Sequence, residues 1–164
     1  MTSLEVRAAT IEDLPRIWEL MHGLARYERM TEIITGTPAQ LGEALFGEHA
    51  FVVEALVAEC RGRLLGYALF YPTFSSFRTR SRFWLEDLFV EPDARGTGAG
   101  RALLASLARL ALARGHDRID WHVLDWNAPA IAFYEHLGAT HQVADWLTYG
   151  LEQRALQRLA GDPD

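Results

Sequence analysis

The sequence predicts an α/β fold, one domain with a mixed sheet flanked by helices, and three observations carry that prediction. An apolar run, Leu88-Phe89-Val90, ends at Pro92, and the glycine-rich turn Arg95-Gly96-Thr97-Gly98-Ala99-Gly100 leads from it into a strongly helical pattern. Residues 51–59 and 64–71 are strand-like runs on either side of Arg61-Gly62, which makes them a hairpin. Segments of helical periodicity are interleaved with these strands, and the hairpin rules out a doubly wound parallel sheet. The 164 residues fit a single domain, 1–164, with a sizeable core.

The elements follow in order. Leu4 to Ala8 alternates and reads as a strand. Thr10 caps the next helix, with Asp13 as its reciprocal partner. Leu14, Ile17, Trp18, Met21, Leu24 and Ala25 then recur at helical spacing as far as Tyr27. Thr37-Pro38 opens a shorter helix with Leu41 and Leu45 on its apolar side, and the hairpin 51–71 follows. The polar stretch Pro72 to Arg82 reads as a loop and Phe83 to Val90 as a strand. The helix after the glycine turn buries Leu103, Leu104, Leu107, Leu110 and Ala111, and Gly115 stops it. Ile119 to Leu124 is expected as a strand, Ala128 to Leu137 as a helix closed by Gly138, Ala144 to Tyr149 as a strand, and Leu151 to Ala160 as a terminal helix.

Composition narrows the function. Sixteen basic against 22 acidic residues give a net charge of −6, which argues against a nucleic-acid partner. Cys60 is the single cysteine, so no internal disulfide framework and no thiolate cluster can form, and a reducing compartment is expected. The first residues, MTSLEVRAAT, lack the basic and apolar regions of a secretory leader, and no segment has the length and apolarity of a membrane span. A cytoplasmic location is the expectation. The six histidines show no metal-binding spacing, so no metal is expected.

A strand that feeds a glycine-rich turn opening a helix is suited to a phosphate. The first-turn N–H groups lack intrahelical partners and point at the anion, and the helix dipole favours negative charge there. The ATP-binding pattern fails because Arg101 stands five residues after Gly96, where its second glycine would fall, and no Lys-Ser or Lys-Thr follows. The dinucleotide pattern fails because its third glycine would fall at Arg101 and because a hairpin precedes the turn. What remains is R-x-x-G-x-G over Arg95, Gly98 and Gly100.

That turn resembles the acetyl-CoA pyrophosphate loop of the GNAT superfamily of N-acetyltransferases. Trp84-Leu85-Glu86-Asp87-Leu88-Phe89-Val90 is similar to the strand that holds the thioester in that superfamily. The run Asn127 to Ala139, NAPAIAFYEHLGA, is similar to its later N-x-x-[AS]-x-x-[FL]-Y motif. Leu24-Ala25-Arg26-Tyr27-Glu28 and Phe46-Gly47-Glu48-His49 resemble the diamine (spermidine/spermine, thialysine) acetyltransferase branch. The likeness covers roughly residues 5 to 160. It implies a mostly antiparallel central sheet, acetyl-CoA as co-substrate, a small primary amine as acceptor, and a homodimer. Acetylation of a protein lysine or N-terminus, and a non-catalytic acyl-CoA-binding module, are the alternatives.

The resemblance also assigns roles. Gly96, Thr97, Gly98, Ala99, Gly100 and Arg101, after Arg95, would take the pyrophosphate through backbone N–H groups. Leu88, Phe89 and Val90 would pair with the pantetheine arm, and a backbone N–H there could stabilise the oxyanion. Asn127 and Ala130 belong to the cofactor side of the later motif. An alkyl amine with a pKa of about 10.4 is neutral only about once in a thousand at pH 7, so a base is needed; Glu86 is the candidate. Asp87 would alternate to the opposite face of the strand yet counts among the amine-binding residues, with Tyr27, Glu28, Glu86 and Trp146, beside Asp145. Tyr134, two helical turns on from Asn127, matches the general acid for the leaving thiolate. Cys60 lies outside these motifs, so a direct attack is expected in place of an acyl-cysteine. The basic run from Ser75 to Arg82 departs from the polyamine-acting members, and its charge should repel a long polycation.

Overall fold

The computed structural model describes residues 4–48, 53–141 and 149–160. The chain divides into two compact units, Met1–His122 and Val123–Asp164. The first contains a five-stranded sheet in the order β1 (Leu4–Ala8), β2 (Glu54–Cys60), β3 (Arg63–Ser75), β4 (Arg80–Val90) and β5 (Ile119–Asp120). Neighbours are antiparallel except β4 and β5, which are parallel, so the sheet is mixed and mostly antiparallel.

Helices cover both faces of that sheet. α3 (Ala99–Ala113) packs Leu103, Leu107 and Ala111 against Leu56, Ala58, Ala68, Phe70, Phe83 and Leu85. α1 (Leu14–Glu28) and α2 (Pro38–Phe46) lie on the other face. There Ile17 and Leu20 join Val57, Leu64, Tyr67, Leu69 and Phe89, with Leu41 and Leu45 at the margin. Gly23, in the middle of α1, lets the helix approach closely: a Cβ there would stand 2.9 Å from the Phe89 ring. α2 starts at a reciprocal cap in which the Thr37 N–H donates to Gln40 and the Gln40 N–H donates to Thr37 Oγ1.

The start of α1 is tied to the sheet. The Thr10 N–H donates to Asp13 at 2.8 Å, and Asp13 also accepts from Arg7 at 2.6 and 2.9 Å. Arg7 reaches Glu59 on β2 as well, at 2.8 Å. α1 ends abruptly at Arg29, which takes the left-handed conformation (φ 59°), and the Met30 N–H closes back on the Ala25 carbonyl at 2.8 Å. Tyr27 and Glu28 therefore occupy the last turn of α1.

Two expectations need correction. Pro72 to Arg82 is not a loop: β3 continues to Ser75 and β4 begins at Arg80, paired from Tyr71↔Trp84 to Ser75↔Arg80. Residues 76–81 are exposed in succession, so no apolar–polar alternation marks the strands, and a turn at 76–79 joins them. The strand expected over Ile119–Leu124 shortens to Ile119–Asp120, because β5 pairs with β4 only at Phe83 and Trp84. The expected strand Ala144–Tyr149 lies almost wholly outside the described residues, and Tyr149 is in no regular element.

The second unit carries α4 (Ala128–His136) and α5 (Gln153–Ala160). Asn127 is buried and caps α4, its side-chain oxygen accepting from the Ala130 N–H at 3.4 Å. Gly138, at φ 90°, follows the end of α4. Among the described residues no helix is long and apolar enough to cross a membrane.

Candidate active site

The β3–β4 register breaks in the middle. Leu69 is opposite Asp87 and Phe70 is opposite Leu85, which leaves Glu86 as an extra, unpaired residue: a β-bulge. Before the bulge, Phe83 and Leu85 point into the α3 core; after it, Leu88 and Val90 do, so the alternation has changed parity. Phe89 consequently joins the α1 side of the sheet. Asp87 does so too, and the Tyr67 hydroxyl, from the same side, donates to its Oδ2 at 2.9 Å. Simple alternation therefore fails for Asp87. Glu86 is on that side as well, where its Oε2 accepts from the Tyr71 hydroxyl and from Trp84 Nε1, both at 2.9 Å.

The electrostatics of this face are one-sided. Burial pushes the Asp87 carboxyl up to about 6, the Tyr67 hydrogen bond pulls it back, and the charges of Glu86 and Glu28 push it further up. Burial also raises Glu28, at the carbonyl end of α1, where the helix dipole favours a cation. The Tyr71 hydroxyl is pushed up to about 12 by burial and by Glu86. Among the described residues, no cation is among the groups that shift Asp87. His122 packs edge-on against Trp84, ring centroids 4.7 Å apart, and so borders the same carboxylate through the indole.

Beyond Trp84, among the described residues, β4 takes no partner on its β5 side, so the backbone edge of Leu88, Phe89 and Val90 is open there. That edge leads into the glycine turn. Gly96 and Gly98 have φ of 78° and 91°, and nothing lies within 4 Å of where a Cβ on either would sit. Gly98 is the N-cap of α3, and Ala99, Gly100 and Arg101 form the first turn. The Thr97 hydroxyl is used inside the turn, donating to the Ala94 carbonyl at 2.7 Å. Below it, Arg16 and Arg63 both grip Glu91, at 2.6 and 2.5 Å, and Arg63 also holds Asp93. The Arg101 side chain is exposed and, among the described residues, bonds no acid.

Arg95 takes a different position from the one its motif suggests. Its Nε donates to the Val90 carbonyl at 3.2 Å, and its guanidinium lies 4.7 Å over the Tyr27 ring. The ring face that Tyr27 offered to an ammonium is thus covered from within, while Glu28 remains directed at the carboxylate cluster. The basic hairpin is also less positive than its sequence. Arg82 pairs with Asp120 at 2.8 Å, an aspartate that Arg118 also holds, and Arg80 with Asp117 at 3.5 Å, so the positive charge of the hairpin is partly offset.

In the second unit, Tyr134 is half-buried on α4 with its ring 5.3 Å from that of Phe133. Trp146 and Asp145 lie outside the described residues. Among the described residues no group of three His, Cys, Asp or Glu side chains is placed to hold a metal. Sequence reasoning missed the bulge, the donors Tyr67 and Tyr71, and the Arg95–Tyr27 stack. Two adjacent carboxylates within an apolar strand, next to a strand with tyrosines four apart, were the available signal.

Residues 16–139 match the Acetyltransferase (GNAT) family. The chain is similar to a thialysine N-ε-acetyltransferase of Sus scrofa, 33% identical across 98% of this chain and 99% of that protein. It is also similar to an L-ornithine N5-acetyltransferase of Arabidopsis thaliana, 29% identical across 94% of this chain and 86% of that protein. Among solved structures, an integron cassette protein from the mobile metagenome of V. cholerae superposes with a TM-score of 0.75 at 27% identity, covering 96% of this chain and 98% of that one.

The raised Asp87 carboxyl has a consequence for stability. Its ordinary value is 3.8, so below about pH 4 it is protonated folded or unfolded and costs nothing. As pH rises through about 6 the folded protein must ionise a buried group, and roughly 3 kcal/mol of stability is lost. Asp87→Asn should therefore be more stable than the parent by roughly 2–3 kcal/mol in urea unfolding at pH 7. The difference should vanish near pH 4; a difference constant over this range would refute the raised carboxyl.

Proposed function

Because the chain belongs to the GNAT family and is an N-acetyltransferase, we propose that it uses acetyl-CoA to acetylate a primary amine of a small molecule, by direct attack in a ternary complex. The observation that carries this reading is strand β4. One strand supplies an open backbone edge from Leu88 to Val90, two carboxylates brought to one face by a bulge, and the entry to a glycine turn at a helix N-terminus.

The residues fit the co-substrate. The open space at Gly96 and Gly98 and the free N–H groups of the first turn of α3 suit a pyrophosphate, with Arg101 as a flanking cation. Arg95 acts on the turn itself, clamping it to Val90 and Tyr27. The pantetheine arm has amides that the edge of Leu88, Phe89 and Val90 can match as a further strand would. Asn127 and Ala130 keep the cofactor-side role by resemblance, through the capped start of α4. Acetyl-CoA supplies the activated acetyl group when bound.

The chain's own groups then handle the amine and the protons. Glu28, Glu86 and Asp87 attract the ammonium into a region with no competing cation. Glu86 has Oε2 saturated by Tyr71 and Trp84, which orients Oε1 toward the amine, and it accepts the amine proton directly or through water. The amine nitrogen adds to the thioester carbonyl, and the C–S bond breaks as the tetrahedral oxyanion collapses, with Tyr134 giving its proton to the leaving thiolate. Thialysine and ornithine, the amines named for the relatives, set the size class of the acceptor. The single Cys60 thiol supports a reducing, cytoplasmic setting, and the family resemblance supports a homodimer.

Thiol release from acetyl-CoA with a panel of thialysine, ornithine, lysine, 1,3-diaminopropane, spermidine and lysine peptides tests this reading. Turnover with the small amines is expected. Turnover with peptides alone would move the function to protein acetylation, and tight CoA binding without turnover would make the chain a sensor. Tyr134→Phe should lower kcat roughly a hundredfold or more with CoA affinity unchanged; near-normal kcat would remove its acid role. Gly98→Val, at φ 91°, should weaken CoA binding at least about a hundredfold by calorimetry, and unchanged affinity would dismiss the phosphate site.

A further inference from the structure

Tyr67 has no accessible surface, and its ring packs among Ile17, Leu20, Val57, Leu69 and Phe89. A phenylalanine would fill that space with apolar surface alone. A buried hydroxyl carries a desolvation cost unless it is bonded, and the acceptor it reaches is Asp87 Oδ2 at 2.9 Å. Among the described residues no other side chain bonds this carboxylate, so Oδ1 is left for another partner. The groups that face Asp87 are Glu28 from α1, Glu86 from its own strand and Tyr67 from β3, with Tyr71 beyond, bonded to Glu86. Two carboxylates and a phenol surround it, and the phenol is the one donor.

The bulge makes this arrangement possible. Tyr67 and Tyr71 stand four residues apart on one face of β3, and the extra residue in β4 brings two consecutive carboxylates within reach of them. Resting on the acetyl transfer proposed above, we propose that Tyr67 is a positioning residue: its phenol holds Asp87 as a carboxylate with Oδ1 turned to the amine, and so sets amine affinity without touching the amine.

Tyr67→Phe removes only the hydroxyl. Below pH 8 an alkyl ammonium stays protonated, so the pH dependence of amine binding reports the carboxylates. The hydrogen bond favours the charged form of Asp87, and its loss raises the pH at which that charge appears. With the panel amine that turns over fastest, Tyr67→Phe should weaken the amine Kd about tenfold near pH 6.5. It should also move the acid limb of the binding profile about one pH unit higher. CoA affinity should not change. In an Asp87→Asn background the same substitution should have no further effect on amine binding. A lower melting temperature with an unmoved pH profile, or an undiminished effect in the Asp87→Asn background, overturns the inference while leaving the acetyl transfer intact. A parent enzyme that turns over no amine of the panel overturns both.

Discussion

One extra residue in one strand organises the site. The bulge at Glu86 shifts the alternation of β4, so that Phe83 and Leu85 below it and Leu88 and Val90 above it all serve the α3 core. A regular strand would send Asp87 and Phe89 into that core, burying a carboxylate among leucines and leaving α1 without the ring it packs on. A bulge also bends its strand and can end pairing with a neighbour. Pairing of β5 with β4 stops at Trp84, two residues before the bulge, and among the described residues no strand takes up the edge beyond it. The shared face of the carboxylates, the close seat of α1 on Phe89 and the open edge thus have a common cause.

Two pairs of acidic groups contrast in whether an arginine meets them. Asp13 and Glu91 are each held by arginines, Arg7 in one case and Arg16 with Arg63 in the other, and both carboxyls lie below their usual range. They fasten the beginning of α1 and the approach to the glycine turn. Glu28 and Asp87 are raised instead, through burial, and among the described residues no cation counters that rise. Burying ionisable groups without a counter-charge costs stability, and such costs are characteristic of sites that wait for a charged partner. In the proposed reaction the substrate ammonium supplies that charge.

The glycine turn shows how a charged motif residue can act on structure. Arg95 reaches back to the Val90 carbonyl and lies over Tyr27, which joins the last turn of α1 to the end of β4. In the proposed reaction anion recognition would fall to backbone N–H groups and the α3 terminus, whose geometry depends on the two left-handed glycines, Gly96 and Gly98. The same stack ties the proposed cofactor loop to Glu28, one residue beyond Tyr27.

Much of this was legible in the sequence because it rests on local rules. Periodicity located α1, α2 and α3; Thr10-Asp13 and Thr37 marked helix starts; Arg61-Gly62 marked the hairpin; and the spacing of Arg95, Gly98 and Gly100 excluded the ATP and dinucleotide patterns. Glu86, Asp87, Glu28 and Tyr134 were singled out by the resemblance of their segments to the GNAT motifs. Tertiary structure decided what local rules cannot encode. Whether a strand keeps its alternation depends on its partner's register, so the common face of Glu86 and Asp87 appears only once β3 and β4 are paired. Whether an arginine meets a phosphate, a ring or an aspartate depends on what folds against it, which is why Arg95 lies over Tyr27 while Arg80 and Arg82 meet Asp117 and Asp120. A buried phenol such as Tyr67 reads as core in any linear pattern; its role follows from the one carboxylate that the bulge sets against it.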